Sequence, residues 1–209
     1  AALDAGVSRV VHASSSSVYG GAATLPTVES EPLNPRSPYA VSKLAAEHYC
    51  RIFSDLYGLE TVALRYFNVY GARQRPDATY AAVIPLFVDA LLRGRPPVVH
   101  GDGLQSRDFT FVADVVDANL AAASAPAARC TGHAYNIAGG ASSTLLDILG
   151  TLGDLLGVVP DPEFAEPRAG DVRHSRADAS AAARDLEFRT RVGLADGLRL
   201  TVDWLRSLG

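Results

Sequence analysis

An α/β fold with a doubly wound parallel sheet is what this sequence predicts, on three observations. Residues 7–12, 38–57 and 61–66 read as strand, helix and strand, an order that closes as a right-handed parallel crossover. The first strand runs into Ser14-Ser15-Ser16-Ser17, and the C-terminal ends of strands are where open α/β sheets bind ligands. The 209 residues, 48% of them apolar, suffice to bury a core as one large or two small domains.

Each element has its own signal. Ala1–Ala5 reads as the last turn of a helix, with Gly6 in its left-handed C-terminal position. The chain thus opens in mid-element, and it contains no methionine, so a further N-terminal portion is expected. Val7–His12 reads as a buried strand, in which Arg9-Val10-Val11-His12 is of the kind found in parallel sheets. Prolines 26, 32 and 35 make 21–37 a loop. From Pro38 to about Tyr57, apolar or small residues fall on more than one helix face, which predicts burial on two sides: one against the sheet, the other available to a second subunit. Gly58 ends that helix, and Thr61–Tyr66 is the next strand. A long loop, 67–79, carries Asn68, Arg73 and Arg75, and loops of this length are usually functional.

Further on, a helix is expected over about 82–93, strands at 96–99 and 106–112, and a turn at Gly101-Asp102-Gly103. That Gly-x-Gly is not a phosphate loop, because neither a third glycine nor a helix start follows at the required spacing. Helices at 114–124 and 145–156 flank a strand at 133–137. A Pro-rich connection spans 160–167, and helices at about 180–186 and 194–208 close the chain, with Trp204 expected in the core.

Composition narrows the function. A net charge of −4, with Lys and Arg scattered, argues against a nucleic-acid or anionic-membrane surface. No apolar run approaches the ~18 residues that span a bilayer, and no secretory signal is present. Cys50 and Cys130 make no disulfide framework and no metal-ligand spacing. A reduced, cytoplasmic protein without a metal is expected.

The chemistry concentrates at Ser37-Pro-Tyr-Ala-Val-Ser-Lys43. Ser37 can cap a helix and Pro38 suits its first turn, so Tyr39 and Lys43 project from one face. A phenol ordinarily titrates near pH ~10, and its use as a base near neutrality needs an adjacent cation or a helix N-terminus. The alternative is a surface tyrosine beside a solvated lysine.

Five stretches in order, Ser14–Gly20, Ser37–Lys43, Leu64-Arg-Tyr-Phe-Asn-Val-Tyr-Gly71, Gly101–Phe111 and Gly170–Asp178, resemble the extended short-chain dehydrogenase/reductase family, and within it the UDP-sugar 4-epimerases. The resemblance covers essentially the whole chain. It implies a Rossmann-like sheet, here N-terminally incomplete, because the family begins with a strand, a Gly-rich turn and a helix that hold the dinucleotide. A dinucleotide lobe of residues 1–66 and 112–138 and a smaller α+β lobe for the UDP-sugar, 67–111 and 139–209, are expected with it.

By that resemblance Ser15, Tyr39 and Lys43 are the catalytic residues: Tyr39 is the base and also contacts the cofactor, Lys43 binds the ribose hydroxyls of NAD, and Ser15 hydrogen-bonds the reacting sugar hydroxyl. Ser14 and Tyr66 lie beside the cofactor and Ser16 beside the sugar. Asn68 and Arg107 are implied as diphosphate ligands, Arg168 and Asp171 as ligands of diphosphate and uridine ribose, and Val83, Val98 and His100 as the uridine cradle. Read from the residues alone, Arg107 could instead pair with Asp108 or Asp114, and Arg168 with Asp171 on the surface. The implied reaction moves a hydride from C4 to NAD and back to the opposite face, through a 4-keto sugar.

Related 4,6-dehydratases carry an acid pair where this chain has Ser16 and Ser17, so that elimination would lack its acid and base. UDP-glucuronate epimerases tend to have threonine where Asn68 stands. In resembling enzymes a small residue at Ser175 admits an N-acetyl group, which favours UDP-GlcNAc/UDP-GalNAc, with UDP-Glc/UDP-Gal also open. A homodimer through the Tyr39 helix is implied as well. The reading from another class is a non-catalytic scaffold: without a dinucleotide-binding first third, the fragment alone would be inactive.

Overall fold

The computed structural model describes residues 1–77, 82–167 and 172–207. A turn at the start places Gly6 at φ +69°, and strand β1 follows over Arg9–Ser15. It runs on past the apolar stretch because Ser14 and Ser15 stay in parallel register with Arg65 and Tyr66 of strand β2, Glu60–Tyr66. Most of β1 is only half-buried, against the expectation of a buried strand, because among the described residues it pairs with β2 alone. Ser16–Tyr19 then tighten into one 3-10 turn, started by Ser15 Oγ accepting from Ser17 N and ended by Gly20 at φ +65°.

Helix α1 occupies Pro38–Tyr57, between the signals that predict it. Ser37 Oγ accepts from Ala40 N at 3.1 Å, Pro38 fills the first turn, and Gly58 closes the helix at φ +68°. Only Ala40 and Glu47 are fully buried. The second apolar face, which includes Tyr49, Ile52 and Leu56, is exposed in the single chain.

The rest follows as β3 (Val69–Tyr70), α2 (Val83–Leu92), β4 (Val98–His100), β5 (Ser106–Asp108), β6 (Thr110–Phe111), α3 (Val112–Ser124), α4 (Ala127–Cys130), β7 (His133–Ile137), β8 (Ser142–Thr144), α5 (Leu145–Leu156), β9 (Glu163–Ala165), α6 (Ser180–Asp185) and α7 (Leu194–Arg206). Phe109 splits the strand expected over 106–112, and helix α3 starts already at Val112. The stretch expected to be a plain connection at 160–167 holds β9, which pairs with β4. Trp204 is half-buried rather than in the core.

The main sheet is parallel, in the order β1-β2-β7. Along β2 the side chains alternate. Val62 and Leu64 join Ala118 and Ala122 of α3 and Tyr135 and Ile137 of β7 in one apolar core, while Thr61 and Arg65 reach α1. Ala182, Leu186 and Phe188 complete that core, so the segment 180–188 packs on the sheet although its place in the sequence assigns it to the second lobe. A second core lies between α2, α5 and α7, around Ile84, Phe87, Ile148, Leu152 and Leu198. Gly197 is the hinge of its packing: a Cβ there would stand 2.1 Å from the Tyr70 hydroxyl. Among the described residues no helix is long and apolar enough to cross a membrane.

Candidate active site

A cleft of about 520 Å³ opens at the C-terminal ends of β1 and β2. Ser14–Ser17 make its floor, Tyr39 enters from the first turn of α1, Tyr66, Phe67 and Asn68 come from the end of β2, and Arg107, His174 and Ser175 form the far lip. A smaller cavity of about 240 Å³ adjoins it, sharing Asn68, Val69 and Arg107 and lined by Val83, Val98 and His100. Of the residues singled out in the sequence, Ser14, Ser15, Ser16, Tyr39, Tyr66, Asn68, Arg107 and Ser175 border the first cavity and Val83, Val98 and His100 the second.

Tyr39 is more than half exposed, with its ring under Lys43, whose Nζ lies 5.6 Å from the ring centroid. The same ammonium donates to the Ala13 carbonyl at 2.9 Å, which ties the helix face to the strand end. Ser15 Oγ, besides capping the 3-10 turn, borders the cleft with Ser16. Ser14 behaves otherwise: its hydroxyl donates to the buried Glu47 carboxylate, so that donor is committed within the protein rather than offered to a cofactor. Tyr66 lines the cleft too, but its hydroxyl donates to Asn119 Oδ1 at 3.0 Å; burial raises its pKa, partly opposed by that bond.

At the other end, Asn68 sits at φ +32°, in the left-handed region that asparagine tolerates, and its Nδ2 donates to the Asp108 carbonyl at 3.0 Å. Arg107 Nη1 donates to the carbonyls of Ser106, at 2.9 Å, and Arg173, at 3.3 Å. His100 Nδ1 stands 3.0 Å from the Glu166 carbonyl. Ser175 is strapped to Ser106 by its backbone N–H at 3.0 Å. Arg168 and Asp171 lie outside the described residues.

The lip is anchored from below by Asp108, fully sealed from solvent. Its carboxylate accepts backbone N–H groups from Gly140, at 3.0 Å, and Ala177, at 3.1 Å. Burial pushes its pKa up to about 6 against the pull of those bonds. A Cβ at Gly139 would stand 2.2 Å from the Phe109 carbonyl oxygen, so only glycine lets this loop approach. The expected turn at 101–103 is present, with Asp102 forked onto Arg173 at 2.7 and 2.8 Å; that bond holds the Asp102 carboxyl down at about 2.

Several cleft residues escape the sequence reading. Ser17 contributes a buried hydroxyl with no hydrogen-bond partner, and Arg36 and His174 also border the space. Position alone could have pointed to them: Ser17 ends the serine block, Arg36 precedes the cap of α1, and His174 neighbours Ser175. Among the described residues no cluster of His, Cys, Asp and Glu could hold a metal.

Strand-end serines beside a Tyr-Lys pair on the following helix define an α/β protein with a polar cleft at the carboxyl ends of its strands, where such sheets bind ligands. The chain belongs to the NAD dependent epimerase/dehydratase family, whose model matches residues 1–138. It is 41% identical over 208 residues to a UDP-glucose 4-epimerase of Mycolicibacterium smegmatis, covering 99% of this chain and 65% of that protein. Among solved structures it is similar to a UDP-N-acetylglucosamine 4-epimerase from Methanobrevibacter ruminantium in complex with UDP-N-acetylmuramic acid, at 39% identity and a TM-score of 0.94, over 100% of this chain and 66% of that one. A UDP-glucuronic acid 4-epimerase from Bacillus cereus, in complex with UDP-glucuronic acid and NAD, is similar at 33% identity and a TM-score of 0.88, over 96% of this chain and 62% of that one. The chain thus spans just under two thirds of the length of these relatives.

Proposed function

We propose that the complete protein is an NAD-dependent UDP-sugar 4-epimerase. The observation that carries this reading is that Ser15, Ser16 and Tyr39 front one cleft while Lys43 bridges from the Tyr39 ring to the strand end. The side chains fit the nicotinamide end of the cofactor: that part of the cleft is lined by the hydroxyl residues Ser15, Ser16, Tyr39 and Tyr66 with Asn68 beside them, and none of its described lining residues is a carboxylate. When bound, NAD supplies a hydride acceptor for C4 of the sugar and a donor back to its other face.

The chain's own residues do the rest. Tyr39 takes the proton of the C4 hydroxyl, and Ser15 orients that hydroxyl from the floor. Lys43, now on the Ala13 carbonyl, would hold the ribose hydroxyls. Asn68 and Arg107, at the junction of the two cavities, receive the diphosphate, since a guanidinium forks onto phosphate oxygens. The smaller cavity, with Val83, Val98 and His100, holds the uracil. Tethered there, the sugar can turn over without leaving.

Ser175 is small and borders the sugar end, which supports UDP-GlcNAc/UDP-GalNAc as the pair interconverted, ahead of UDP-Glc/UDP-Gal. A second copy of the chain docks through α1, in keeping with Tyr49, Ile52 and Leu56, all exposed on that helix. Residues 1–66 and 112–138 serve the dinucleotide and 67–111 and 139–209 the sugar, except that 180–188 packs on the sheet of the dinucleotide lobe.

Incubating the complete protein with UDP-GlcNAc, UDP-Glc and UDP-GlcA, and following C4 inversion by NMR, tests this directly. Inversion that is fastest for UDP-GlcNAc is the expected result. Preference for UDP-GlcA would move the protein to the glucuronate epimerases, and turnover of none would leave the scaffold reading.

A further inference from the structure

Behind the cleft floor, on the α1 side of the sheet, lies a buried polar network that the reaction does not use. Glu47 stands on the same face of α1 as Tyr39 and Lys43, at successive four-residue steps, and is 8% exposed. Arg65, 4% exposed, grips its carboxylate with Nε at 3.0 Å and Nη2 at 2.7 Å. The same carboxylate accepts the Ser14 hydroxyl from β1. Arg65 continues through Nη1 to the Tyr19 hydroxyl at 2.9 Å, with the guanidinium 5.0 Å from that ring. Tyr19 donates to Asn136 Oδ1 at 2.7 Å, and Asn136 Nδ2 donates to the carbonyls of Thr27, at 3.0 Å, and Asp178, at 3.2 Å. One connected set of bonds therefore runs from the helix of Tyr39, through β1, β2 and β7, to the segment that ends in the Ser175 lip.

As a source of stability this is a poor bargain: a buried ion pair costs several kcal/mol per ion to desolvate, and apolar residues of the same volume often hold as well. What directional, bidentate bonds supply and apolar contact does not is a fixed register. We propose that Glu47 and Arg65 are positioning residues for the reacting end of the cleft: through Ser14 they lock α1 to the end of β1 and so fix where Tyr39 and Lys43 stand relative to Ser15. The inference rests on the epimerase reading of those three residues. It also reassigns Ser14, from a cofactor contact to the strand-side anchor of Glu47.

The test is a cycle in the complete protein of Ser14→Ala, Ser14→Thr, Glu47→Gln and the Ser14→Ala/Glu47→Gln double variant. Each is assayed for 4-epimerisation well below its own melting temperature, with amide exchange measured over residues 39–42. A misplacement of about 1 Å costs on the order of 100-fold, so Ser14→Ala and Glu47→Gln are expected to lower kcat roughly 10- to 100-fold at little-changed KM. Ser14→Thr is expected to restore kcat, and the double variant to be no worse than its more damaging single. Exchange over 39–42 is expected to quicken in Ser14→Ala and Glu47→Gln while α3 is unaffected. Wild-type kcat in Ser14→Ala, losses that multiply in the double variant, or no rescue by threonine would overturn the proposal. If the wild type epimerises no UDP-sugar the functional reading fails instead, and unchanged exchange over 39–42 would then overturn the positioning role on its own.

Discussion

The two faces of the main sheet are held by different physics. Toward α3, Val62, Leu64, Tyr135 and Ile137 interlock with Ala118 and Ala122 in an apolar core. Toward α1, the sheet presents Thr61 and Arg65, which meet the helix through hydrogen bonds and an ion pair. The apolar face tolerates small slips, because dispersion and burial depend little on direction. The polar face does not, and it is the one that carries Tyr39 and Lys43. Adhesion and placement are divided between the two sides of the same strands.

Breaking each face separately sharpens the contrast. Arg65→Met leaves Glu47 buried without its cation, so a loss of roughly 3–5 kcal/mol in denaturant unfolding is expected, together with a fall in kcat. Adding Glu47→Leu removes the orphaned charge; stability is then expected to recover to within about 2 kcal/mol of wild type while kcat stays low. Recovery of both together would mean that the pair serves stability alone. Leu64→Ala on the opposite face empties a fully buried site and is expected to cost about 2–5 kcal/mol, with kcat per folded molecule unchanged. A large drop in kcat there would erase the division between the faces.

A smaller effect separates the lip from the sheet. Asp108 favours its neutral form in the folded chain, so its contribution to folding is greatest below the ordinary carboxylate value near ~3.9 and is given up as pH rises through about 6. A carboxyl-carbon NMR titration should place its midpoint near 6. A midpoint under 4 would mean that the backbone donors outweigh the burial.

Much of this was legible in the sequence where the signal is local. Ser37, Pro38 and Gly58 mark both ends of α1, and the serine block with Tyr39 and Lys43 marks the cleft. What escaped depends on contacts between distant segments. β8 and β9 are three-residue strands whose pairing partners, β5 and β4, lie far away in the chain. Glu47 carries no signal of its own within the pattern of the helix. The clue was Arg65, a charge inside the run Val-Ala-Leu-Arg-Tyr of a central strand, since a buried guanidinium requires a partner. Burial alone would lower the Arg65 pKa, but the bonds and charge of Glu47 and Tyr19 more than reverse this and keep it cationic. Only the coordinates name Glu47 and Ser14 as the other members.

The most direct measurement is the rate of C4 inversion by Tyr39→Phe in the complete protein, read by NMR beside a binding titration with the same UDP-sugar. The account predicts a loss of about 10²–10⁴-fold in rate with UDP-sugar binding nearly unchanged, because a general base has been removed while the groups assigned to the diphosphate and uracil remain. Inversion at the wild-type rate would contradict it.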